Sequence, residues 1–308
     1  MTPHSKTSAR AFATALAAVA LLFAALAPAT APAAKGGKQE KQRIVALTPF
    51  SANTLIKLGI KPVAIGEGQA GAKLDPKLKN VPVLPLSHAA NGPNLEQLTS
   101  YDADLVFSER TWKAGFEAIK GLGMKIVTKD PYRVSSVPRK IRSIGKLVDK
   151  KAKAGKLAAQ VQKQVKKSTA DVTDSPRVLM ILGVGETPYA FLSDSWGGDL
   201  VTQAGGELIT DGLSNDGDDG LLVNGGYAQI SDEQIIASNP DVIIAVPHGR
   251  ADDLDAIAEN LRNDEAFEVT NAAQNGDIYV TTDSSLIQGN TNVASIISKV
   301  RSDFLKNR

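Results

Sequence analysis

Glu96-Gln97-Leu98, followed after five residues by Asp104-Leu105-Val106-Phe107, recurs as Glu233-Gln234-Ile235, followed after five residues by Asp241-Val242-Ile243-Ile244. The offset is 137 residues throughout, from Glu96 to Glu233 and from Asp104 to Asp241. A period that long is no solenoid repeat; it marks a duplicated lobe, each copy offering a helix, a short turn and a buried strand. Chance similarity is the competing account. Asn94 and Ser231 stand three residues ahead of Gln97 and Gln234, the spacing of a capping box. Each glutamate therefore falls in a helix's first turn, where the helix dipole alone is enough to favour negative charge.

The surrounding runs set the fold class. Ile44 to Leu47, Val63 to Ile65, Val81 to Leu84, Leu105 to Phe107 and Lys125 to Val127 are short β-branched stretches separated by helical segments. A second series follows Pro176: Val178 to Leu182, Ala190 to Leu192, Val242 to Val246 and Ile278 to Val280. This alternation predicts an α/β chain of two lobes, 43–133 and 176–308. Between them Ile141, Ile144, Val148, Leu157, Val161 and Val165 recur at helical spacing with lysines filling the other positions. Residues 134–175 are thus expected to form one connecting helix, or two broken near Lys150 to Gly155.

Ahead of the lobes, Lys6 and Arg10 precede an apolar stretch from Ala11 to Ala27 that gives way to Ala31-Pro32-Ala33, the layout of a secretory signal over 1–33. An uncleaved membrane anchor is the alternative. Residues 34–42 read as a flexible lead-in, and Lys35, Lys38, Lys41 and Arg43 as a solvated basic tail. The chain has 35 basic and 33 acidic residues; removal of the signal takes away two basic ones and leaves a balance of zero, so the footprint of a nucleic-acid partner is missing. Absence of cysteine excludes disulfides, thiolate chemistry and attachment of lipid to a thiol.

Few motifs carry chemistry. Gly66, Gly68 and Gly71 spell a dinucleotide fingerprint, but Pro76 and the polar run before it leave no helix for a pyrophosphate to cap, so a loop is expected. Four aspartates between Asp211 and Asp219 lack calcium-loop spacing and read as a solvated loop. His88 and His248, one per lobe, are the only histidines beyond the signal. His248 follows a buried strand in Pro247-His248-Gly249-Arg250, and loops beyond the carboxyl ends of such strands are where ligands bind. The first-lobe counterparts are Glu109, Arg110 and Trp112 after one strand and Asp130, Tyr132 and Arg133 after the next, arginines and aromatic faces suited to a planar or chelated anion. The alternatives are that each histidine is an ordinary loop residue and that Trp112 packs under its own loop.

With these residues in hand, the chain resembles the helical-backbone class of ABC-transporter substrate-binding proteins, which carry ferric siderophores, haem and cobalamin. The likeness covers about residues 42–308 and rests on Arg43-Ile44-Val45-Ala46-Leu47-Thr48-Pro49, Leu58-Gly59-Ile60, Asn94-Leu95-Glu96, Gly198-Asp199-Leu200-Val201 through Gly206, and Glu233 before Pro240-Asp241-Val242. The resemblance implies two Rossmann-like lobes joined by a long backbone α-helix, a ligand cleft between them, no enzymatic activity, and docking of Glu96 and Glu233 onto arginines of a permease with two transmembrane subunits. It further implies a monomer outside the cytoplasm. The Pro247-His248-Gly249 segment is similar to the place where haem receptors of this class put an iron-coordinating histidine. His248 would then ligate haem iron, opposed by His88, with Arg110, Arg133 or Arg250 on the propionates. The pattern departs from those receptors in having Asn91 where they place a methionine, and in lacking their N-terminal cysteine. A ferric siderophore is the next ligand, cobalamin the third. Readings from other classes are an extracytoplasmic hydrolase on the same scaffold and a membrane-anchored interaction module.

Overall fold

The computed structural model describes residues 42–68, 74–87, 89–170, 172, 175–184, 188–214, 226–247 and 251–305. The apolar stretch from Ala11 to Ala27 lies outside them, and among the described residues no helix is long and apolar enough to cross a membrane.

In chain order the first lobe comprises β1 (Ile44–Ala46), α1 (Pro49–Lys57), β2 (Ala64–Gly66), β3 (Val83–Leu84), a small hairpin of β4 (Leu86–Ser87) and β5 (Gly92–Pro93), α2 (Leu95–Ser100), β6 (Leu105–Ser108), α3 (Phe116–Gly121) and β7 (Lys125–Thr128). The main strands line up β3-β2-β1-β6-β7, all parallel. Runs such as Ile44-Val45-Ala46 and Leu105-Val106-Phe107 are apolar at every position because helices cover both faces of the sheet. Ile44, Ala46 and Phe107 enter one apolar cluster, Val45, Leu47 and Val106 another, the alternation expected of a pleated strand. Strand order reverses between β1 and β6, and the crevice beyond their carboxyl ends is the natural ligand position.

α4 (Val137–Leu147) and α5 (Lys151–Ser168) follow. Of the two expectations for this segment, the broken one holds: the single long helix gives way to a helix pair. The chain breaks at Asp149, whose φ of +52° cannot continue a helix. The two helices pack closely enough that a Cβ on Gly145 would lie 2.1 Å from that of Ala154.

The second lobe contains β8 (Arg177–Leu182), β9 (Tyr189–Phe191), α6 (Trp196–Ala204), β10 (Glu207–Leu208), β11 (Tyr227–Gln229), α7 (Asp232–Ser238), β12 (Val242–Val246), α8 (Leu254–Arg262), α9 (Glu265–Glu268), α10 (Asn271–Gln274), β13 (Ile278–Val280) and α11 (Val293–Asp303). Its sheet runs β11-β9-β8-β12-β13. β8, β12 and β13 are parallel, β9 and β11 are antiparallel, and the short β10 pairs with the start of β8.

The duplication extends beyond the motif that announced it. In the first lobe Arg43 donates its backbone N–H to Asp104 at 2.7 Å and its guanidinium to the carbonyls of Tyr101 and Asp102. In the second, Arg177 donates its N–H to Asp241 at 2.9 Å and its guanidinium to the carbonyl of Ser238. Asp102 and Asn239, again 137 apart, both take left-handed φ, at +46° and +39°. Each lobe is therefore fastened by an arginine at the start of its first strand, reaching the end of the helix that leads into the neighbouring strand. This overturns the assignment of Arg43 to a solvated tail.

One apolar cluster passes through both lobes. It runs from Ile44 and Phe107 through Ile141, Ile144, Ala154 and Val161 to Met180, Ile244 and Ile297. α4 packs on α1 and α5 on α11, so the connecting pair is part of the core of each lobe. Beside it runs a polar seam. Asn53 donates to Asn290 at 3.3 Å, the hydroxyls of Thr54 and Thr291 bond at 2.8 Å, and Thr291 donates to the carbonyl of Phe50 at 3.4 Å, with all of these side chains buried. A Cβ on Gly289 would stand 2.6 Å from a Pro131 ring carbon, which ties the same loop to the end of the first lobe.

Candidate functional site

The site is built at the carboxyl ends of β1, β6 and β7. Thr48 ends the first of these strands and caps α1, its hydroxyl accepting from Ser51 N–H, with Pro49 at the first helical position. Ser108 and Glu109 end β6, after which a short 3-10 turn, Arg110–Gly115, carries Trp112. Trp112 is 7% exposed, packed beneath that turn. Asp130, Pro131, Tyr132 and Arg133 follow β7.

Burial dominates the electrostatics. It pushes the Asp130 carboxyl up to about 8, helped by the charge of Glu109 and opposed by a hydrogen bond from Thr48 and the charge of Lys140. One oxygen of Asp130, Oδ2, is enclosed with no hydrogen-bond partner among the described residues. Glu109 is raised by the same burial, against a stabilising contact with Trp112. Tyr132 is drawn up to about 12 by burial and by the Asp130 charge, with Arg110 acting against them. The Lys140 ammonium of α4 lies 5.9 Å from the centre of the Tyr132 ring, and its own pKa is lowered, by burial first.

Across the cleft stands Tyr227 of β11, stacked edge-on against Phe191 at 4.8 Å between centroids. Its hydroxyl is raised by burial first and then by the charge of Glu109 of the first lobe. Arg133 pairs with Asp194 of the second lobe, and Val134 N–H donates to Asp199 at 2.6 Å, a clasp at the cleft's edge.

Of the residues singled out from sequence, Glu109, Arg110, Trp112 and Tyr132 come together, and Arg133 sits beside them engaged with Asp194. His88, His248 and Arg250 lie outside the described residues. The hairpin that brackets position 88 packs on the Trp112 turn: a Cβ on Gly115 would meet the Asn91 carbonyl at 2.3 Å. Gly66 of the apparent dinucleotide fingerprint has a packing role, since a Cβ there would lie 2.4 Å from the Leu47 carbonyl. Tyr227, Lys140 and Asp194 were missed. Tyr227 and Asp194 sit in short segments without periodicity, whereas Thr48 was legible from the Thr-Pro pair that opens a helix.

Glu96 and Glu233 are exposed in the first turns of α2 and α7. Asn94 caps the first helix by accepting from Gln97 N–H at 2.9 Å; Ser231 and Gln234 form both halves of a capping box on the second. The Ser231 hydroxyl holds the Glu233 carboxyl below its ordinary range.

A family model described as periplasmic binding protein matches residues 44–284. The chain belongs to this family. Among its relatives, the high-affinity heme uptake system protein IsdE of Staphylococcus aureus (strain MRSA252) is 25% identical over 249 residues, 79% of this chain and 80% of that protein. Among solved structures, an ABC transporter substrate-binding protein from Listeria monocytogenes EGD-e superposes with a TM-score of 0.69 at 21% identity, covering 85% of this chain and 100% of that one. S. aureus IsdE complexed with heme also gives 0.69, at 23% identity, covering 85% of this chain and 98% of that one. These likenesses establish the two-lobed α/β fold. A periplasmic binding protein is a carrier of substrate, so the hydrolase reading falls away.

Proposed function

We propose that this protein captures an iron complex, haem in the first instance, in the cleft between its lobes and hands it to the permease of an ABC importer. The observation that carries the reading is its kinship over 249 residues with a protein named for high-affinity heme uptake. Support comes from the electrostatics there, where Tyr132 and Arg110 of the first lobe and Tyr227 of the second all feel Glu109 or one another. In this proposal residues 43–133 and 176–308 grasp the ligand, 134–175 connects them, 34–42 is a lead-in, and 1–33 exports a chain that works as a monomer outside the cytoplasm. His248 ligates the iron, opposed by His88. Arg110, Arg250 or Arg133 takes the propionates; Arg133 must exchange Asp194 to do so. Tyr132 packs along the ring edge, Trp112 supports that wall from beneath its turn, and Glu109 limits how close a second anion approaches.

Glu96 and Glu233 dock onto the two transmembrane subunits. Beside them Leu95 and Ile236 are 37% and 47% exposed, so each charge sits within an apolar fringe suited to a protein contact.

The test is an absorbance titration of the purified protein with haemin, beside His248→Ala and His88→Ala. A saturable Soret shift that is lost in the His248 variant is expected. No shift in the parent protein refutes haem and turns the ligand to a ferric siderophore held by arginine and aromatic contacts. A shift that survives His248→Ala refutes ligation by that residue.

A further inference from the structure

The α4–α5 pair concentrates charge that the rest of the chain offsets. Between Val137 and Ser168 there are eleven basic residues and one acid, Asp149, a net charge of 11 − 1 = +10. Beyond the signal segment the whole chain balances at 33 against 33, so everything outside this pair carries a net −10.

We propose that the exposed side of this helix pair is an electrostatic contact surface for the anionic headgroups of a lipid bilayer. On α5 the residues Lys156, Lys163, Lys166 and Lys167 fall on the side opposite the buried Ala154, Ala158 and Val161, counting 100° per residue, and all four are exposed, whereas the Lys153 ammonium reaches back to Gly59. Arg139, Arg142 and Lys146 of α4 likewise lie opposite its buried Ile141 and Ile144 and are exposed. None of these seven cations forms an ion pair with a described residue.

A merely solvated helix face is built differently. Soluble helices offset lysines with acids three or four residues away, whereas α5 has no acid in 18 residues and sets Lys163 against Lys166 and Lys167 at the repelling spacings. Its first turn holds Lys151 and Lys153 and no acid, against the helix dipole. Local rules broken without an internal compensation mark a surface shaped for something outside the chain.

The partner's chemistry follows from what the surface lacks. No aromatic residue occurs between Val137 and Ser168, so there is nothing to stack on the bases of a single-stranded nucleic acid or to anchor in acyl chains. α5 alone is about 27 Å long, a linear array of point charges matched to a plane of headgroups. The inference rests on the reading that the protein serves a membrane importer and is independent of which ligand it carries.

The experiment is sedimentation of the chain from residue 41, a compact unit that holds every described element and all three apolar clusters, with phospholipid vesicles and no ligand or permease present. With vesicles of about 30% phosphatidylglycerol in about 0.1 M salt the protein should pellet; it should stay in solution with pure phosphatidylcholine or in about 0.5 M salt. Each lysine near such a surface is worth roughly fivefold, so Lys156→Glu with Lys163→Glu and Lys167→Glu should cut partitioning on the order of a hundredfold while the circular-dichroism spectrum holds. Lys61→Glu with Lys77→Glu and Lys79→Glu, the same change in net charge elsewhere on the surface, should cut it far less. The proposal is overturned if the parent ignores the anionic vesicles, if the hairpin variant pellets like the parent, if the control variant loses as much, or if the protein binds heparin but not vesicles. None of these results bears on haemin binding, and a failed haemin titration leaves the vesicle result untouched.

Discussion

Gly145→Ala offers a decisive trial of how the two connecting helices meet, because two effects of opposite sign act there. By helix propensity alone, replacing a helix-interior glycine stabilises by about 1 kcal/mol. The new methyl, however, would stand 2.1 Å from the Ala154 Cβ and 3.3 Å from the Lys150 carbonyl, where two carbons settle at roughly 3.5 to 4 Å. Forcing α4 and α5 apart against a fully buried core costs about 1 to 3 kcal/mol. The clash outweighs the propensity, and the variant should be less stable by about 1 kcal/mol. Ala154→Gly loses a buried methyl worth about 0.8 kcal/mol and about 1 kcal/mol of propensity, roughly 2 in all. The exchange Gly145→Ala with Ala154→Gly moves the methyl from one helix to the other and should return to within about 0.5 kcal/mol of the parent, a coupling of roughly 2 to 3 kcal/mol. Urea unfolding of all four proteins measures it. A stabilised Gly145→Ala, or a double variant as weak as the sum of the singles, would refute the close packing.

Three more outcomes are expected. Asp130 carries a folded-state pKa raised to about 8 against an ordinary value of 3.8, so the folded protein holds a proton that the unfolded chain has lost; stability should fall as pH rises from about 4 to about 8 and then level, at up to about 1.4 kcal/mol per pH unit, and Asp130→Asn should flatten a urea-midpoint profile over that range. Removing the Arg177 guanidinium in Arg177→Ala frees the Ser238 carbonyl and should lower stability by about 1 to 2 kcal/mol in the same assay, with Arg43→Ala behaving alike; a neutral result at both positions would contradict the fastening role. Glu96→Arg with Glu233→Arg should abolish uptake in cells while leaving haemin affinity unchanged, and loss of both together would mean that these residues support the cleft instead.

Strands were the most legible part of the sequence. A run such as Val242-Ile243-Ile244-Ala245-Val246 is apolar at every position, and its shortness and four β-branched residues mark it as a strand covered on both faces and not a buried helix. A break near Lys150 to Gly155 was legible as one of two alternatives, and the chain turns at the near end of that range: Asp149 takes left-handed backbone, which a carboxylate tolerates where most side chains do not, while Gly155 continues the helix. β4, β5 and β10 have two residues each, too few to show a period. In the cleft, Glu109 and Tyr132 were found because they follow obvious strands. Tyr227 arrives from a distant segment, and its partnership with Glu109 exists only once the lobes have folded against one another.

The apolar cluster shared by the lobes, and the buried Asn53–Asn290 and Thr54–Thr291 bonds beside it, set the tempo of the carrier. In the proposed carrier, lobes joined by a common core spare capture a wide hinge closure and leave only local exchanges such as that of Arg133 from Asp194. The residence time is then fixed by contacts inside the cleft alone. On the same proposal, emptying the cleft within a transport cycle calls for strain on that shared core, supplied by the machinery that receives the cargo.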